Sequence, residues 1–241
     1  MNHILIVGAG DFIGSAIAKR FAAGGYRVSA VRRNGEKLDT LLKEIEEAGG
    51  TADGWSMDAR DEDDVQATFA RAEALDPLDI VVFNVGGNVR FSIRETTTRV
   101  FRKVWEMACF GGFLTGRTAA EVMVPRGTGC IFFTGATASM RGGSGFAAFA
   151  SAKAGLRNLA QSMARELGPA GIHVAHLVID AGVDTAWVRE IFAKMGRNVD
   201  EMPEDALVNP ASIAEAYWTL AHQPRDAWTF ELDVRPYAET W

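Results

Sequence analysis

Two kinds of segment alternate along the chain. Short, nearly continuous apolar runs at 4–7, 27–31, 51–56, 80–83, 130–133, 173–179 and 229–234 predict strands. Between them, apolar residues recur every three or four positions at 15–23, 36–48, 62–74, 99–121, 149–167 and 212–222, which predicts helices. Strands rich in branched residues, separated by helices, imply a parallel sheet buried on both faces. The expected class is therefore α/β, a single doubly wound parallel sheet of about seven strands with helices on both faces. One stretch breaks the rhythm: 185–209 is polar and mixed, and carries Trp187, Phe192, Met195, Met202 and Pro203. Irregular segments of this length in α/β domains often cover a site, so 185–209 is the expected lid over a substrate.

No low-complexity tract or linker interrupts the alternation, so residues 1–241 read as one domain. Apolar residues make up 48% and charged residues 23%, enough for a sizeable core. Cys109 and Cys130 belong to no CxxC or His-rich cluster, so neither a disulfide framework nor a bound metal is expected. The 31 acidic residues exceed the 25 basic ones, giving a charge of −6, which argues against a broad surface for nucleic acid or anionic lipid. No run approaches the ~20 apolar residues of a membrane span. The first strand starts without a basic leader before it, so the expected location is cytoplasmic.

The first strand leads into Gly8-Ala9-Gly10-Asp11-Phe12-Ile13-Gly14, and a helix follows. Glycines between a strand and a helix let the backbone approach a pyrophosphate, and the helix start offers free N–H groups and a positive dipole end. The alternative is a turn that serves only chain reversal. At the end of the second strand stand Arg32-Arg33-Asn34, with no acid to hold ribose hydroxyls. Arginine there suits a 2′-phosphate, so NADP(H) is favoured over NAD(H). Asp11 adds negative charge beside the phosphates.

Further motifs fall in order: Asp58-Ala59 after the third strand, Asn84-Val85-Gly86 after the fourth, Lys153 in the helix after the fifth, and Val183-Asp184-Thr185 after the sixth. Together they resemble the short-chain dehydrogenase/reductase family over essentially the whole chain. The resemblance implies a Rossmann-type, NAD(P)(H)-binding oxidoreductase of alcohols and carbonyls. It assigns Gly8, Gly10 and Gly14 to the glycine turn, with Phe12 where a further glycine is usual. It sets Asp58 beside the adenine, Asn84 and Gly86 under the cofactor, Lys153 on the nicotinamide ribose, and Val183 and Thr185 around the carboxamide and pyrophosphate. Asp180-Ala181-Gly182 replaces the family's Pro-Gly.

The same resemblance exposes a loss. Phe149 occupies the position of the proton-donating tyrosine, Ala136 that of the serine, and Cys109 that of the relay asparagine. Only Lys153 remains of the four. Ser139, in the loop before Phe149, and Asp180, at the nicotinamide end of the sixth strand, are the candidate substitutes; the tyrosines are Tyr26, Tyr217 and Tyr237. Two functions stay open: an oxidoreductase with an atypical acid–base site acting on a small molecule, or a dinucleotide-binding pseudoenzyme serving as sensor or partner subunit. A spoiled turn at Asp11 and Phe12 would leave only a scaffold. Family members assemble through the long helices and the last strand, so a homo-oligomer, tetramer or dimer, is expected.

Overall fold

The computed structural model describes residues 1–239 except Met195 and Glu204, so the expectation placed on Met195 falls outside the described residues. Seven parallel strands form one sheet in the order β3-β2-β1-β4-β5-β6-β7. They are β1 (His3–Val7), β2 (Arg27–Arg32), β3 (Thr51–Ser56), β4 (Ile80–Phe83), β5 (Gly129–Thr134), β6 (Ile172–Ile179) and β7 (Glu231–Val234). All residues of β1, β4 and β6 are buried, whereas β3 and β7, at the two edges, are half-buried.

Helices cover both faces. On one side lie α1 (Ile13–Ala23), α2 (Asp39–Glu47) and α9 (Pro210–Ala221), packed through Phe21, Ile45 and Tyr217. On the other lie α3 (Glu62–Glu73), α5 (Gly111–Met123) and α7 (Ala147–Leu167), packed through Phe69, Leu114 and Leu156. Caps set several helix starts: Asp61 accepts from the Asp64 amide at 3.1 Å, and Thr97 from the Val100 amide at 3.2 Å.

The structure corrects several boundaries. The long helix expected at 99–121 is α4 (Thr98–Trp105) joined to α5 through a π turn, Glu106–Phe110. The expected strand at 229–234 begins only at Glu231, because the Gln223 side chain takes the Thr229 amide at 2.8 Å. Two helices had no clear periodic signal: α6 (Thr137–Met140) and α8 (Ala186–Lys194), the latter inside the expected lid. Among the described residues no helix is long and apolar enough to cross a membrane.

Candidate functional site

Strand order reverses between β1 and β4, and connections there leave on opposite faces of the sheet. A cleft opens beyond the strand ends at this point, the usual ligand position in open α/β sheets. Two adjoining cavities of about 490 and 460 Å3 form it, and both are walled by Gly8, Gly10 and Asn84-Val85-Gly86. The first extends over β2 and β3, the second over β5 and β6.

Their shared wall is built by the turn after β1. The Asn84 side-chain amide donates to the Gly8 carbonyl at 3.0 Å, tying the ends of β1 and β4 together. A side chain on Gly14 would meet the Gly8 carbonyl oxygen at 2.5 Å and the Ala9 Cα at 2.6 Å, so only glycine lets α1 start this close to the turn. The amides of Phe12, Ile13 and Gly14 donate to no acceptor among the described residues. They are the open end of an eleven-residue helix with no side-chain cap. A pyrophosphate matches that donor set. The Phe12 ring is 39% exposed and stands at the rim without filling the cavity.

The first cavity carries the cations. Arg32, Arg33, Lys37 and Arg60 line it together with Asp58 and Ala59. Arg60 donates to both Asp58 carboxylate oxygens, at 2.9 and 2.5 Å, and these hydrogen bonds hold the Asp58 pKa below the ordinary value. Arg32 donates to Asp11 at 2.5 Å. Arg33 and Lys37 stand in no ion pair among the described residues.

The second cavity is more apolar. Ala136 and Phe149 sit in its wall as the sequence placed them, and neither offers a proton. Lys153 lies beside them, almost fully buried, and donates to the carbonyls of Thr134 at 2.8 Å and Val85 at 3.2 Å. Burial lowers its pKa from 10.5 to about 8. Its ammonium is 6.0 Å from the Phe149 ring centre. Val183, Thr185, Trp187 and Val188 form the opposite rim. There the Thr185 hydroxyl caps α8 by accepting from the Val188 amide at 3.1 Å. Arg189 bridges Asp184 and Asp200 at 2.6 and 2.7 Å, fastening α8 to the loop that follows β6.

Every residue assigned to the dinucleotide from sequence thus stands in one wall or the other. The suggested replacement acids do not. Ser139 is buried, and its hydroxyl accepts from the Ala136 amide at 3.1 Å to close the first turn of α6. Asp180 is 1% exposed and receives both guanidinium nitrogens of Arg141 at 2.9 Å, with Arg235 at 3.3 Å. Burial works to raise its pKa, but the hydrogen bonds from Arg141 and Thr137 outweigh it and hold the carboxyl below its ordinary value. It is a structural ion pair outside both cavity walls. Cys109 lies on the π turn with its sulfur against α7 at Gly155, and burial raises its pKa. No tyrosine lines the cleft: Tyr217 is buried with its hydroxyl 2.7 Å from Thr134 Oγ1, Tyr26 pairs with His222 at 3.4 Å, and Tyr237 is 79% exposed. Sequence reasoning passed over Asn88 and Lys37. Asn88 adds a second side-chain amide to the second cavity, two positions beyond a recognised motif, and no pattern marks it.

Comparison with known proteins gives a consistent picture. The family described as short chain dehydrogenase matches residues 2–196. The chain is 34% identical over 230 residues to the uncharacterized oxidoreductase YuxG of Bacillus subtilis, aligning 88% of its own length but only 33% of that longer protein. Among solved structures, a short-chain dehydrogenase from Rhodopseudomonas palustris is 56% identical, with a TM-score of 0.84 over 98% of this chain and 99% of that one. A variant of actinorhodin polyketide ketoreductase with NADPH is 28% identical, with a TM-score of 0.87 over 97% of this chain and 95% of the other. On the family match and the shared sheet, this chain belongs to the short-chain dehydrogenase/reductase family.

Proposed function

We propose that the chain is an NAD(P)(H)-dependent oxidoreductase for a small molecule, with NADP(H) favoured, working through an altered acid–base site. The observation that carries this reading is the cleft itself: uncapped amides of α1 at one end, Arg33 and Lys37 at the other, Lys153 at the base. The α1 amides would hold the pyrophosphate, and Arg32, Arg33 and Lys37 a 2′-phosphate. When bound, the dinucleotide supplies or accepts hydride. The structure of a ketoreductase with NADPH on the same fold supports the preference.

The residues do the rest. Trp187 and Val188 shield the second cavity from water, in the role of a lid over 185–209, and Asn88 offers an amide to orient a polar group. Lys153 has three N–H bonds and spends two on carbonyls. The third is left for the cavity that Ala136 and Phe149 line, where the nicotinamide ribose and a substrate oxygen would compete for it. A buried ammonium whose pKa lies near 8 sits close to working pH, which suits a proton donor.

Fluorescence titration with NADPH and NADH tests the reading. Binding of NADPH below about a millimolar and more tightly than NADH is expected; no binding of either rejects it. The carbon walls at Ala136 and Phe149 favour a second reading, a dinucleotide-binding pseudoenzyme acting as sensor or partner subunit. It predicts NADPH binding with no oxidation of NADPH by any carbonyl or enone. Self-association is proposed through α4 and α5, where Trp105 and Phe113, 40% and 38% exposed, stack on Phe110.

A further inference from the structure

The loop after β4 forms one rim of the second cavity, which Asn88 lines. Residues 90–103, running from this loop into α4, hold five cations and one acid in a chain whose net charge is −6. The cations are Arg90, Arg94, Arg99, Arg102 and Lys103, and none stands in an ion pair among the described residues. The acid, Glu95, accepts from the Ser92 hydroxyl at 2.8 Å. Arginines on the segments after β5 and β6 are by contrast spent, Arg141 on Asp180 and Arg189 on Asp184 and Asp200. Phe91 and Ile93, between Arg90 and Arg94, are exposed.

Packing ties Arg90 to the cavity. The Phe91 amide donates to the Gly145 carbonyl at 2.9 Å, joining the loop to the residues just before α7. The Arg90 stem crosses Gly145 so closely that a side chain there would begin 3.0 Å from its Cγ. The Arg90 guanidinium carbon is 5.9 Å from the Phe146 ring centre. Phe146 packs, with Ala136, on the cluster that contains Phe149. Ala136 and Phe149 are the carbon walls of the second cavity. An exposed guanidinium without a counter-ion thus stands one ring outside an apolar wall. Arginine offers a flat fork of N–H donors that matches a carboxylate or a phosphate.

We propose that the cleft selects an amphiphilic anion, a substrate with an apolar body and a terminal carboxylate or phosphate. The body lies in the second cavity against Ala136, Phe149 and Val188, and the terminal anion pairs with Arg90. This rests on the oxidoreductase reading of the cleft and names the class of substrate it takes. The body gains in proportion to the apolar area it removes from water. The anion stays at the rim, still partly hydrated, so pairing with Arg90 carries little of the desolvation cost of a buried ion pair. Holding the charged end outside presents the other end to the wall where Lys153 lies. A cationic end meets repulsion there, and a neutral one gains nothing. The four further cations on the same loop and helix extend the positive field and steer anions toward it. Arg90 is a specificity-determining residue and touches no reacting atom.

Ligand-observed NMR titrations of the full chain with saturating NADP+ test this, with octanoate, octyl phosphate, 1-octanol and octylammonium as probes. Octanoate or octyl phosphate should bind about fivefold more tightly than 1-octanol, and octylammonium most weakly. The tighter anion names the terminal group. Arg90→Gln should remove the anion advantage and leave 1-octanol within about twofold, whereas Arg102→Gln should change neither by more than about twofold. The advantage should shrink near 0.5 M salt. Equal binding of the anions and 1-octanol overturns the proposal, as does an anion advantage that survives Arg90→Gln or falls equally in Arg102→Gln. So does the absence of binding by either anion below about 10 mM. If Arg90→Gln weakens 1-octanol as much as the anions, the arginine stem only packs, and the proposal is again overturned. If NADP+ itself does not bind, the oxidoreductase reading falls, and the same titrations of the unliganded chain still decide whether Arg90 pairs with the anion.

Discussion

Asp11 and Arg32 make the sharpest test of cofactor choice. Asp11 lies in the glycine turn with its side chain 67% exposed, and its partner Arg32 is 20% exposed. A 2′-phosphate seated on Arg32 must share the guanidinium with this carboxylate. Two anions on one guanidinium stand about 6 Å apart, and at the dielectric of water a charge of −1 facing about −2 costs roughly 1.4 kcal/mol. Asp11→Asn removes that repulsion and frees Arg32. The expected result is about a tenfold fall in the Kd for NADPH, with NADH changed by less than twofold. The assay is protein-fluorescence titration at low salt, repeated near 0.5 M salt, where screening should shrink the gain severalfold. If both nucleotides tighten equally, or the gain survives high salt undiminished, Arg32 does not receive the 2′-phosphate and the electrostatic reasoning is wrong.

Three other outcomes follow from the geometry. Phe149→Tyr with Ala136→Ser restores a hydroxyl pair beside Lys153, so NADPH oxidation with a simple ketone should rise by roughly 10²–10⁴-fold; no gain in a variant that still binds NADPH would remove these positions from the chemistry. Gly14→Ala forces a methyl against the Gly8 carbonyl and Ala9, neither of which can swing aside, so stability should fall by about 1–3 kcal/mol in a urea melt and NADPH affinity by tenfold or more. Lys153 has its pKa lowered on folding, from 10.5 to about 8, so between those values the unfolded chain binds more protons and stability rises with pH. Relative to Lys153→Met, wild type should gain up to about 3 kcal/mol between pH 8 and 10.5; a flat difference would mean that the amine is not desolvated.

The parts of this fold that repeat a simple period were legible in the chain. β3 and β4 lie where their apolar or branched runs predict, and the glycine turn declares itself through a strand before and a helix after. What failed to show has physical causes. The nine-residue α8 buries no residue and leaves little apolar periodicity to read. α6 is a single turn closed by Ser139, whose hydroxyl accepts from the Ala136 amide, a partner that no sequence pattern announces. The ion pairs of Asp180 were hidden for a related reason: its counter-ions, Arg141 and Arg235, lie 39 and 55 residues away in opposite directions, and only the fold brings them together. That Ala136 and Phe149 carry no hydroxyl was visible, because it is a matter of residue identity. The pairing of His176 with Glu231 was not, since it joins two neighbouring strands 55 residues apart.

The π turn at Glu106–Phe110 has a consequence for the two helices it joins. A π turn spends one residue more than an α turn, so everything after it is rotated by about 100° from where an unbroken helix would carry it. That offset lets α4 face α7 through Val104 while α5 turns Leu114 and Ala119 to the sheet. Deleting a single residue there would straighten the rod and swing the apolar stripe of its second half out into water, whereas the same deletion in a surface loop would pass almost unnoticed.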